Sequence, residues 1–169
     1  MWRLVLMLMV VSVAACGPSS TGSAASPSAG ATSTPTHSGP IAACSVLTSQ
    51  DAAQLAGVTF AAGTEAGLTC TYTNGNTLVI LTVVQAADST ALQAAVQQEQ
   101  QTLGASGFKQ VQLAGADSAY EFLQSGGGMT VSVIQVLRRN VMFVIEALGV
   151  ATTDATLKAV ATTVLGRLP

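Results

Sequence analysis

Reaction chemistry at neutral pH needs a nucleophile beside a base, a pair of carboxylates, or a set of metal ligands. The chain carries three cysteines (Cys16, Cys44, Cys70), one histidine (His37) and eight carboxylates (Asp51, Glu65, Asp88, Glu99, Asp117, Glu121, Glu146, Asp154). His37 lies in a Ser/Thr/Pro stretch, isolated from any other ligand type. The carboxylates fall mostly at expected helix starts or on strand faces. Glu121 and Glu146 are the two that could meet across a sheet, and a solvated pair is the expectation there. The sequence thus points to no catalytic residue, no metal site and no cofactor, and to a protein that is not an enzyme.

The sulfurs carry the rest of the chemistry. Residues 4–13 form an apolar run behind Arg3, closed by Val13-Ala14-Ala15-Cys16. A membrane-spanning helix needs about 20 apolar residues, so this run has the length of a signal peptide instead. Val13 and Ala15 suit the −3 and −1 positions of an ordinary secretory cleavage site. Alternatively, an aliphatic residue, two small residues and a cysteine resemble the lipobox of bacterial lipoproteins. That resemblance implies a diacylglyceryl group on the Cys16 thiol and cleavage that leaves Cys16 as the N-terminus. Each buried methylene of such an anchor contributes about 0.8 kcal/mol, and two or three acyl chains hold stably where one does not. With Cys16 so assigned, Cys44 and Cys70 remain. Exported chains meet oxidising conditions, and the spacing is not Cys-x-x-Cys, so a structural Cys44–Cys70 disulfide is expected over a thiol pair or metal ligands.

Composition sets the bounds. Charged residues are 8% of 169, hydrophobic residues 49%, and the net charge is −2. The cations Lys109, Arg138, Arg139, Lys158 and Arg167 are scattered without a basic stripe, which argues against nucleic acid as a partner. Arg138-Arg139 reads as a turn rather than a phosphate site. Residues 17–40 are Ser, Thr, Ala, Gly and Pro, with four of the five prolines. Such a segment buries too little apolar surface to offset its ordering entropy, so it is expected to be a disordered tether spanning about 25–30 Å. The expected organisation is a signal peptide over 1–15, the lipidated Cys16 and tether over 16–40, and one globular domain over 41–169.

Within that domain Thr48 and Asp51 read as the start of a short helix that Gly57 ends. A strand over 68–73 leads into Asn74-Gly75, a type I′ hairpin signal, and then into an apolar strand over 77–85 covered on both faces. A helix over 88–104 carries Leu92, Ala95, Val96 and Leu103 on one stripe and glutamines elsewhere. Strands over 118–124, 129–137 and 141–148 follow, the first two joined through Gly126-Gly127-Gly128. No Gly-Lys-Ser/Thr follows those glycines, so they read as a hairpin turn and not as a phosphate loop. Leu157, Val160, Ala161, Val164, Leu165 and Leu168 give the last helix a sheet-facing stripe. The expectation is an α+β fold, a single antiparallel sheet of about five strands with helices on it, in the order α-β-β-α-β-β-β-α.

Cys44-Ser45-Val46-Leu47-Thr48, the Leu55-Ala56-Gly57 helix end and Cys70-Thr71-Tyr72 resemble a family of small actinobacterial cell-envelope lipoproteins. Its members have a Cys-x-Leu-Leu-Thr start and a Cys-x-Trp/Tyr strand. Gly115-Ala116-Asp117-Ser118-Ala119-Tyr120 resembles that family's entry to its third strand, whereas Ala42-Ala43 stands where the family commonly has Asp-Pro. The family is also similar to the extracellular sensor domains of mycobacterial Ser/Thr kinases. The resemblance implies compartment and fold but no reaction. A non-enzymatic module anchored on the outer face of the cell membrane is expected, acting on another envelope protein. The second expectation is a carrier or sensor of an apolar envelope ligand held between sheet and helix.

Overall fold

A computed structural model describes residues 41–86, 90, 93, 94, 96–98, 101, 108–126 and 129–169, all within the unit His37–Pro169. The expected signal peptide, Cys16, the tether and His37 lie outside the described residues. So do Leu92, Ala95 and Leu103 of the stripe expected over 88–104, and Gly127-Gly128 of the expected hairpin turn.

The chain opens with α1 (Ala43–Val46) and α2 (Ser49–Ala56). The α2 start follows from its capping residues. Thr48 N donates to Asp51 Oδ2 at 2.8 Å, and Asp51 N donates back to Thr48 Oγ1 at 3.3 Å, a capping box that satisfies two otherwise orphaned donors. Gly57 ends the helix at φ 68°, a left-handed conformation that costs glycine little.

Seven strands follow: β1 (Thr64–Ala66), β2 (Thr69–Asn74), β3 (Thr77–Gln85), β4 (Phe108–Val111), β5 (Ser118–Gly126), β6 (Met129–Arg138) and β7 (Val141–Leu148). They form one sheet in the order β1-β2-β3-β7-β6-β5-β4, with every neighbouring pair antiparallel. The α+β class holds, but the sheet has seven strands and not five. The two unexpected strands are the edges. Thr64-Glu65-Ala66 and Phe108–Val111 are too short to show an alternation of their own, and each exists because a longer neighbour offers it a ladder. The helix order differs too, because α1 precedes the expected first helix. The described residues between 90 and 101 are helical, and α3 (Asp154–Arg167) closes the fold.

The β2–β3 turn is shifted by one residue from the expected position. Asn74 pairs with Thr77, so Gly75 and Asn76 occupy the turn. Gly75 has φ 58° and Asn76 does not have positive φ, so the type I′ pattern, which needs both, is not met. Arg139 opens the β6–β7 turn at φ 54°. The Asp117 carboxylate accepts its backbone N–H, which helps hold a conformation that β-carbon sterics disfavour.

The core follows from side-chain alternation. Leu81, Ile145, Ile134 and Glu121 stand opposite one another across β3, β7, β6 and β5, and so share one face. That face packs with Val79, Val83, Phe143, Val136 and the α3 stripe of Leu157, Val160, Ala161, Val164 and Leu165 in one cluster. All six residues expected on the last helical stripe are buried. The opposite face carries a smaller cluster of Val96, Leu137 and Met142, so β7 and β3 are covered on both sides near that end. Burying each large aliphatic side chain contributes about 1.5–3 kcal/mol, which makes these central strands the main source of stability.

Candidate functional site

Chemistry-bearing side chains gather in three places. The first is the joint between α1 and β2. Cys44 and Cys70 form the expected disulfide, with S–S 2.02 Å and Cα–Cα 5.0 Å. Tyr72, two residues further along the same face of β2, donates its hydroxyl to Leu47 O at 2.5 Å. Phe60 meets its ring edge-on at 6.1 Å. Gly63 lies over both: a Cβ there would fall 2.7 Å from Cys70 Sγ and 2.7 Å from the Tyr72 ring. Burial, then the charges of Asp51 and Glu65, push the Tyr72 hydroxyl above its usual pKa. The arrangement is a covalent and hydrogen-bonded staple, with the cysteines spent on each other.

The second is Asp51 with Arg167. The Arg167 guanidinium reaches from the end of α3 to both oxygens of Asp51, with Nη2–Oδ1 at 3.3 Å, and Nη1 also donates to Val46 O at 2.8 Å. Burial alone would push the Asp51 carboxyl up. Hydrogen bonds from Arg167 and Thr48 outweigh it and hold the carboxyl below its usual range. One carboxylate therefore caps α2 and anchors α3.

The third lies at the start of α3. Lys158 Nζ stands 2.6 Å from Asp154 Oδ1 and 3.6 Å from Glu121 Oε2. Glu121 is only 4% exposed on the core face of β5, and Lys109 is its partner on β4. Burial raises the Glu121 pKa, and its shared hydrogen bond with Asp154 raises it further against the pull of Lys158 and Lys109. Asp154 is lowered, first by that hydrogen bond and then by Lys158, whose own pKa rises through Asp154.

Glu121 and Glu146 do not meet. Glu121 shares a face with Ile134 and Ile145, so Glu146, next to Ile145, points to the opposite face. Arg138 Nη1 donates to Leu165 O at 2.9 Å, and Arg139 sits in the β6–β7 turn. Sequence reasoning missed Asp51–Arg167, because 116 residues separate the partners. It also missed Glu121 as the partner of the Asp154–Lys158 pair, although the i, i+4 spacing of that pair was readable.

Among the described residues, no group of three or more His, Cys, Asp or Glu is placed to hold a metal ion. No described helix is long and apolar enough to cross a membrane. A small cleft of about 180 Å³ lies between the helical residues 93–97 and β5, lined by Gln93, Val96, Gln97, Ser118 and Tyr120. Fold and site together define a disulfide-stapled, seven-stranded antiparallel α+β domain. No protein-family model and no curated protein matches the chain.

Proposed function

We propose that this protein is a non-enzymatic envelope lipoprotein, held at the outer face of the cell membrane by acyl chains on Cys16. Its folded unit would act as an interaction module for another envelope protein. The observation that carries the reading is the Cys44–Cys70 bond. Such bonds persist in oxidising compartments, and the apolar run ending in Val13-Ala14-Ala15-Cys16 is the kind of segment that directs a chain there. The resemblance to actinobacterial envelope lipoproteins supports the same placement through residues 44–48, 55–57, 70–72 and 115–120. The charged groups at the second and third gatherings support it in a second way: they are engaged with one another, capping helices and joining elements.

The test is metabolic labelling with radiolabelled palmitate in the full chain and in Cys16→Ser. Label and membrane attachment are expected in the first and absent from the second. An unlabelled wild-type chain, or a serine variant that stays membrane-bound, overturns the anchor. Processing has its own readout, because Trp2 is the one tryptophan and the mature protein should show tyrosine emission alone. The interaction role is read by crosslinking in cells. Anchored protein should give a discrete adduct that the Cys16→Ser form loses, and equal crosslinking by both would remove the need for the anchor. The reading as an apolar-ligand carrier draws no support from the cleft beside β5, whose lining is mainly amide and hydroxyl.

A further inference from the structure

We infer that the cleft between the helical residues 93–97 and β5 is a binding site for a neutral, polyhydroxylated ligand the size of one sugar ring. The inference does not depend on the anchor. Ser118 and Tyr120 are alternate residues of β5 and therefore project from the same face. Gln93 and Gln97 are one helical turn apart and present their amides on one side of the helix. Across the cleft the two hydroxyls thus oppose the two carboxamides. Val96, 5% exposed, belongs to the apolar cluster with Leu137 and Met142, against which Tyr120 packs.

The polar groups of this lining are unspent. Among the described residues, the side chains of Gln93, Gln97, Ser118 and Tyr120 make no hydrogen bond to protein. By contrast, Tyr72 donates to Leu47 O, Asn140 to Ala86 O and Thr152 to Leu55 O. Carboxamides and hydroxyls both donate and accept, which matches the mixed donor–acceptor edge of vicinal hydroxyl groups. The described lining residues carry no formal charge. An acyl chain would cover four polar side chains without replacing their hydrogen bonds to water. The volume, 180 Å³, is below the roughly 300–1,000 Å³ of drug-sized pockets. It admits one ring, with the Tyr120 ring available for its C–H face.

Two tyrosines make the test direct. Full-length protein in detergent micelles, labelled with fluorotyrosine, should give one fluorine-19 line for Tyr120 and one for Tyr72, which lies on the other side of the sheet. Glucose, galactose, mannose and N-acetylglucosamine are titrated to ~100 mM, a range that detects millimolar affinity. Each sugar is run free and as the terminal unit of an oligosaccharide, to separate a free sugar from a glycan end. At least one should shift the Tyr120 line saturably and leave Tyr72 in place. Gln97→Ala and Tyr120→Phe should weaken that binding about fivefold or more, with Tyr72 as the remaining reference line in the latter, read through the Val96 methyl signals. Gln101→Ala, exposed on the same helix outside the lining, should not. No shift with any sugar, equal movement of both lines, or saturation by sulfate or laurate in place of sugar would each overturn the proposal. Loss of Cys16 acylation leaves this titration unchanged, so failure here and failure of the anchor are separable.

Discussion

Glu121 is the side chain whose protonation state the fold most constrains. It lies on the core face of β5, 4% exposed, with Asp154 and Lys158 of α3 and Lys109 of β4 facing it. Its folded pKa is raised, chiefly by burial, so the protonated form is the one the fold prefers. Its contribution is therefore fully present below the unfolded value of about 4.3 and is lost as pH rises through the higher folded value. Glu121→Gln keeps a donor for Asp154 and removes the titration. The melting temperature of the variant minus that of the wild type should grow as pH rises above the unfolded carboxyl value. A difference that stays flat over that rise would remove the shared proton from the account. Gly149 makes a second case at this scale. It sits at φ 78°, and a Cβ would fall 2.4 Å from the backbone oxygen of Asn76. Gly149→Ala should cost roughly 2–4 kcal/mol in a urea titration, because a disfavoured φ and a contact with backbone act together.

Elements are joined here by a few long-range polar ties, and the end of α3 shows how. Arg167 spans Val46 O and the carboxylate that caps α2, while Thr152, just ahead of α3, donates to Leu55 O at 3.0 Å. Arg167→Ala leaves the buried Asp51 with its cap alone and should lower stability by about 1–3 kcal/mol, discounted for the half-exposed guanidinium. Asp51 has a depressed folded pKa, so the stability it brings is present above the unfolded value of about 3.9 and is lost as pH falls through the lower folded value. In Arg167→Ala the acid limb of the stability curve should move to higher pH, and an unmoved limb would show that the tie carries nothing. The long-range ties of Arg167 and Thr152 were not readable beforehand. Periodicity located β2, β3, β5, β6, β7, the α2 cap and the whole α3 stripe, because long alternating runs and capping residues act locally. The edges β1 and β4 and the one-residue shift of the β2–β3 turn were not, because three- and four-residue strands take their register from a neighbour. Glu121, Asp51 and Arg167 met only once topology had brought distant segments together.

At the scale of the whole molecule the question is what the disulfide does in a domain that already has a two-sided sheet core. The bond closes a loop with a sequence separation of 26 and attaches α1 to β2, next to the edge strand β1. On chain-entropy grounds such a closure stabilises by about 3–3.5 kcal/mol, mostly by restricting the unfolded chain. That is a large share of a net stability of the order of 5–15 kcal/mol, yet below it. The central strands β3, β7 and β6 and their α3 cover hold most of the buried apolar side chains and do not involve the bond. The Cys44→Ala/Cys70→Ala double variant should therefore still fold, with a lower urea midpoint and a steeper slope, because the unfolded chain released from the loop exposes more surface. Hydrogen exchange should rise in α1, β1 and β2 well before it rises in β6 and β7, since local opening needs only the stapled end to detach. The same pattern should follow from reducing the wild type with a thiol. Uniform loss of protection across all seven strands would instead mean that the staple and the sheet form one cooperative unit, and that a chain kept from an oxidising compartment would not fold at all.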